Sequence, residues 1–320
     1  MKSNISLLLF ISSLLFLTFC NSTLVQNIDV FNGQSVYQVV NLTSGELVSS
    51  VAFPNGGIYE NIFGIAQQTG DKILLFAQYY KNVLLLSYTI STNSLRVIQQ
   101  MTTVFNYIIT DQSLGYWAGQ KFIYASGQIP YGLTNYISLI MIDFVTQRSL
   151  TETFDAIPLG SNIEVAGVYY NNSYYLAYGY APSEKNSTTS IFYCPFATYQ
   201  KLSFTVENIP SCDMKLFIYQ DQLLIASVGD DSASIFVADF ETKEATLVLT
   251  LPFTNSTIQP FIQDPAGYLY MLSPEPNSSG SDAMLTVTTI DLETYSTTTR
   301  TIPDNIQSGS WILSTVDNLN

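Results

Sequence analysis

Short apolar or alternating runs follow one another along almost the whole chain, parted by brief polar turns. Stretches such as KILLFAQ (72–78), KFIYASG (121–127), YYLAYGY (174–180), LLIASVG (223–229) and YLYMLS (268–273) have strand length and β-forming composition. Strand-length runs of this kind, repeated along the chain, predict an all-β protein.

The runs are grouped. An apolar-x-[Ser/Thr] turn recurs at Leu42, Ile90, Phe144, Phe196, Phe240 and Leu292, at spacings of 48, 54, 52, 44 and 52 residues. DFVTQR, DFETKE and DLETYS are its fullest forms, beginning at Asp143, Asp239 and Asp291. A near-constant period marks stacked supersecondary units. Each unit reads as four strands, with the repeated turn joining the outer two. Asp and Ser/Thr side chains can close such a turn by bonding nearby backbone, without glycine. Four-stranded meanders at this period resemble generic β-propeller repeats. The expectation is a six-bladed β-propeller forming one domain over residues 23–320. Its ring is closed by pairing N- and C-terminal strands in one blade, with SGSWILSTV (308–316) as that blade's inner strand. No WD dipeptide, kelch double glycine or aspartate box occurs, so the resemblance is to an architecture and not to a family.

The first residues carry Lys2 followed by an apolar and hydroxyl stretch from Ile5 to Cys20. This reads as a secretory signal peptide over residues 1–20, cut after Cys20 or as late as Ser22. No later run is long and apolar enough to be a spanning helix. Acceptor triplets for N-glycosylation stand at Asn41, Asn171, Asn186, Asn255 and Asn277, and Asn21 joins them if the cut falls after Cys20. The expected product is a secreted, extracellular glycoprotein, with an endolysosomal lumen as the alternative destination. Cys194 and Cys212 pose a conflict. An oxidising compartment favours a disulfide between them, whereas the strand order puts them a strand's length apart, beyond bonding reach. Both readings stand at this point.

Composition narrows the chemistry. The net charge is −14 with 11 basic and 25 acidic residues, the reverse of a nucleic-acid-binding surface. The chain has no histidine, which removes histidine-based hydrolytic triads and imidazole-ligated metals. Its Arg residues, Arg96, Arg148 and Arg300, all fall on predicted outermost strands and cannot converge on a channel ligand. Two candidate sites emerge. Loops at the upper face of the early blades, FPNGGIYENIF and QIPYGLTNYI, carry Tyr59, Tyr131 and Tyr136 without a sequon. Aromatic rings beside amides suit a carbohydrate or protein ligand; packing between blades is the competing role. The predicted starts of the inner strands carry Glu60, Asn106, Glu164, Asp213 and Gln259. Oxygen donors around a channel mouth suit Ca²⁺, in a position similar to the calcium site of six-bladed lactonases and related phosphoester hydrolases. The leading expectation is a binding or interaction module with no cofactor. The alternative is a calcium-dependent lactonase- or esterase-like hydrolase.

Overall fold

The computed structural model describes most of residues 24–315. Residues 1–23 and 316–320 fall outside that description. So do several internal segments, of which 55–60, 104–107, 110–114, 118–121, 181–187, 197–200, 210–212, 253–260, 276–283 and 304–309 are the longest.

Every described element is a strand or a turn. The first sheet contains β1 (Leu24–Phe31), β2 (Gln34–Asn41) and β3 (Leu47–Ala52). The second runs β4 (Asn61–Thr69), β5 (Lys72–Tyr79), β6 (Asn82–Thr89), β7 (Ser94–Thr102). In the third, β8 (Ile108–Ile109) and β9 (Gly115–Trp117) both pair with β10 (Phe122–Tyr131), followed by β11 (Thr134–Asp143) and β12 (Arg148–Pro158). The fourth runs β13 (Ile163–Tyr170), β14 (Ser173–Tyr180), β15 (Thr188–Pro195), β16 (Leu202–Glu207). The fifth runs β17 (Asp213–Tyr219), β18 (Gln222–Val228), β19 (Ser232–Asp239), β20 (Glu244–Pro252). The sixth runs β21 (Phe261–Gln263), β22 (Tyr268–Pro274), β23 (Met284–Asp291), β24 (Thr297–Pro303). Finally β25 (Ser310–Thr315) returns to the first sheet and pairs with β1, giving the order β25-β1-β2-β3. Asp29 lies between Val36 on one side and Trp311 on the other.

The protein is a β-propeller. Innermost strands touch in the succession β25, β4, β9, β13, β17, and β21 touches β25. The expectation of identical four-stranded units needs one correction. Five sheets have that form, but in the third the innermost place is divided between the short β8 and β9, so that sheet has five strands.

Packing explains the sequence pattern. A middle strand in a propeller is covered on both faces by neighbouring blades, so it reads as a continuous apolar run rather than an alternation. Leu223–Val228 are all buried, as are Val83–Leu86. Outer strands such as β3 and β12 alternate between exposed and half-buried positions. Among the described residues, apolar clusters fill the seams between neighbouring sheets, and one joins Val40 and Leu42 of the first sheet to Leu272 and Leu285 of the sixth. Bulges interrupt the outer pairing at Val39, Leu85, Ile137 and Ile235, which twists those edges and disfavours pairing with another chain.

The recurring turn has two roles. Its aspartate caps the chain reversal: Asp239 Oδ1 accepts the N–H of Glu241 at 2.7 Å and of Thr242 at 3.3 Å. Asp291 does the same for Glu293 at 2.8 Å and Thr294 at 3.2 Å. Asp143 accepts from Val145 at 2.8 Å, from Thr146 N–H at 3.1 Å and from the Thr146 hydroxyl. In the first sheet Asn41 Oδ1 accepts from Ser44 at 3.2 Å. In the second, Thr89 occupies that place and Asp71 substitutes from the adjoining turn, accepting the N–H of Ser91 at 2.7 Å and its hydroxyl at 2.5 Å. The chain then turns through a left-handed residue, four positions after the cap: Gly45, Asn93, Gln147, Lys243 and Tyr295 all have positive φ. At Gly45 a Cβ would also lie 2.8 Å from Pro303 Cδ, so that turn tolerates no side chain. The second role belongs to the apolar residue after the cap. Leu42, Phe144 and Leu292 are buried, each in the seam with the preceding blade. Ile90, Phe196 and Phe240 pack against the equivalent seams.

Candidate binding surface

The inner strands run from the upper face to the lower. The lower face carries the recurring turns and two two-residue hairpins with positive φ at both positions, Asn171-Asn172 and Gln220-Asp221. The upper face carries the hairpin between β10 and β11, where Tyr131 pairs with Thr134. Gly132 there has φ +64°, and a Cβ on it would meet nothing within 4 Å. Positive φ at the first central residue defines a turn that glycine accepts without strain. Gly-Leu therefore forms an open tip.

Three large apolar side chains stand in solvent around that tip. Tyr131 is 69% exposed, Leu133 86% and Leu159 50%. Leu159 follows β12, and its N–H donates to the Leu133 carbonyl at 2.9 Å, which fixes the two leucines side by side. Asn135, on the sheet face opposite to that of Tyr131, is buried across from Ile157, and its Oδ1 has no hydrogen-bond partner among the described residues.

The residues expected at functional sites are distributed as follows. Tyr131 is at the exposed tip, whereas Tyr136 is half-buried against the seam between the second and third sheets. Tyr136 is thus a packing residue, because the β11 pleat turns it toward the neighbouring blade. Tyr59 lies outside the described residues. Glu164, second residue of β13, pairs with Gly179 and is half-buried; Asp213 opens β17 and pairs with Val228. Both therefore sit near the upper ends of adjacent inner strands. Glu60, Asn106 and Gln259 lie outside the described residues. Among the described residues, no group of three or more acidic or cysteine side chains is assembled in metal-binding reach. Arg96, Arg148 and Arg300 lie on β7, β12 and β24, the outermost strands.

Of the sequons, Asn41 ends β2 and uses its side-chain oxygen as a turn cap, and Asn171 is exposed at its hairpin. Asn186, Asn255 and Asn277 lie outside the described residues. Cys194 is a buried free thiol near the lower end of β15, among Tyr174, Tyr178 and neighbouring apolar groups. Burial pushes its pKa up, with the Glu152 charge adding to the effect. Asp213 begins its strand at the upper end, and Cys212 lies outside the described residues. Among the described residues, no helix is long and apolar enough to cross a membrane.

Sequence reasoning missed Leu133 and Leu159. The available signal was QIPYGLTNYI itself: a glycine turn holding an apolar residue at its tip, where a polar one is usual.

No protein-family model matches the chain, and no curated protein does. Solved structures do. TolB from Acinetobacter baumannii superposes with a TM-score of 0.56 at 10% identity, over 96% of this chain and 71% of that one. A nidogen/laminin complex gives a TM-score of 0.54 at 10% identity, over 92% and 98%. A putative 6-phosphogluconolactonase from Bacteroides fragilis gives 0.54 at 14% identity, over 94% and 99%. At these identities the likeness is one of fold, and the chain is similar to all three as a β-propeller.

Proposed function

We propose that this protein is an exported, six-bladed propeller that acts as a protein-binding module through the upper tip of its third blade. The observation that carries the reading is the exposed trio Tyr131, Leu133 and Leu159. Covering a fully exposed leucine is worth about 1.5–3 kcal/mol, and contiguous exposed apolar groups on a soluble domain mark interaction sites. A tyrosine at the edge supplies a ring and a hydroxyl together, the chemistry of interface anchors. Export is supported by the leader-like residues 1–20 and the sequons. The nidogen/laminin complex is a precedent for a protein partner on this architecture.

The test is surface plasmon resonance of the purified protein against a panel of extracellular and matrix proteins, comparing wild type with Tyr131→Ser/Leu133→Ser. At least one binder should lose about tenfold or more in affinity, as expected for two anchors. Failure to find a binder, or a binder indifferent to the double substitution, would refute the reading. Adding 1 mM calcium should leave the melting temperature unchanged. A stabilisation lost in Asp213→Asn would move the account to the calcium-dependent hydrolase.

A further inference from the structure

A groove of about 830 Å³ opens on the lower face between the fourth and fifth sheets. Its floor is aromatic. Tyr175 and Tyr193 stack at 4.8 Å, and Phe240 tilts against them at 6.0 and 5.6 Å. Its walls are acidic: Asp221, Asp239, Glu241 and Glu244 line it, with no Lys or Arg among the lining residues. Lys201 and Lys243 adjoin lining residues in sequence, but Lys201 is paired with Glu152 and Lys243 holds the left-handed place in its turn. Asp239 and Asp221 are committed to the fold, the first as a turn cap and the second as acceptor from Tyr170 at 2.8 Å. The side chains of Glu241 and Glu244 are exposed, and among the described residues neither carboxylate is in an ion pair.

We infer that this groove binds a basic peptide segment, taking arginine side chains over the Tyr175–Tyr193 floor and between the Glu241 and Glu244 carboxylates. A guanidinium is the cation that stacks on an aromatic face while forking to a carboxylate. The volume suits several residues rather than a single small amine. The surface is on the opposite face from the Tyr131 tip.

The probe is a fluorescein-labelled nonapeptide of alternating Arg and Gly, read by anisotropy at low and physiological salt, beside the same peptide with Gln for Arg. Wild type should bind the Arg peptide and not the Gln peptide. Glu241→Gln/Glu244→Gln should weaken binding about tenfold, with an unchanged melting temperature. Thr246→Arg, which places a competing cation in the groove, should abolish it. Glu46→Gln/Glu293→Gln removes the same charge from other blades and should leave binding within about twofold. Equal losses for the two double variants would show attraction to net charge alone and overturn the inference, as would equal binding of the Gln peptide or no binding at all.

Discussion

Replacing Phe144 with alanine isolates what the recurring turn contributes. The ring is 1% exposed and lies in the seam formed with Phe76, Val83 and Leu85 of the second blade. Removing it forfeits about 2 kcal/mol of apolar transfer, and a residual cavity of roughly 100 Å³ adds about 2 more. The expected loss is therefore about 4 kcal/mol, within the range seen for buried aromatic truncations. Val145, next in the chain, is 64% exposed, so Val145→Ala should change stability by no more than about 0.5 kcal/mol. Urea unfolding followed by intrinsic fluorescence measures both, provided the slope with denaturant is the same for each variant. A cost below about 1 kcal/mol for Phe144→Ala, or one matched by Val145→Ala, would show that the turn does not plug the seam.

Other outcomes follow from the same geometry. The cap carboxylates Asp239 and Asp291 are held below the usual range by their backbone N–H donors. Burial pushes Asp143 up, but Thr146 and Val145 as donors outweigh it. A depressed folded pKa contributes stability above the unfolded value near 3.9 and loses it as pH falls through the folded value. Stability should thus decline below about pH 4, and Asp143→Asn/Asp239→Asn/Asp291→Asn should flatten that decline in acid titrations of the melting temperature; an unchanged slope would contradict the capping role. Cys194 is 5% exposed, and its raised pKa keeps it as the thiol, so it should react with a disulfide reagent only after denaturation. Labelling of the native protein at Cys194 on a minutes timescale would contradict its burial.

The strand pattern and the turn were legible because their causes are local. Middle strands covered on both faces need apolar side chains at every position, and a cap needs Asp or Asn beside two free N–H groups. The left-handed residue was not legible. Gln147, Lys243 and Tyr295 have no special tolerance for positive φ; Gln147 and Lys243 are exposed, and the geometry of the capped turn itself sets the conformation. Asp71 serving the Thr89 turn was hidden because the donor and acceptor lie 20 residues apart. Tyr131 and Tyr136 are the same residue type on one face of one hairpin, and only their distance from the glycine tip separates a solvent-facing ring from a packed one. The acidic groove was invisible for a different reason: its walls come from turns of two blades, joined only by the ring.

That ring depends on β1 lying between β2 and β25. The most direct measurement is oxidation of the Asn27→Cys/Leu313→Cys double variant, followed by peptide mapping. These positions are direct partners across β1 and β25. A disulfide joining positions 27 and 313 should form in high yield and raise resistance to unfolding. Reduced thiols at both positions in the folded protein would mean that the termini do not close the propeller.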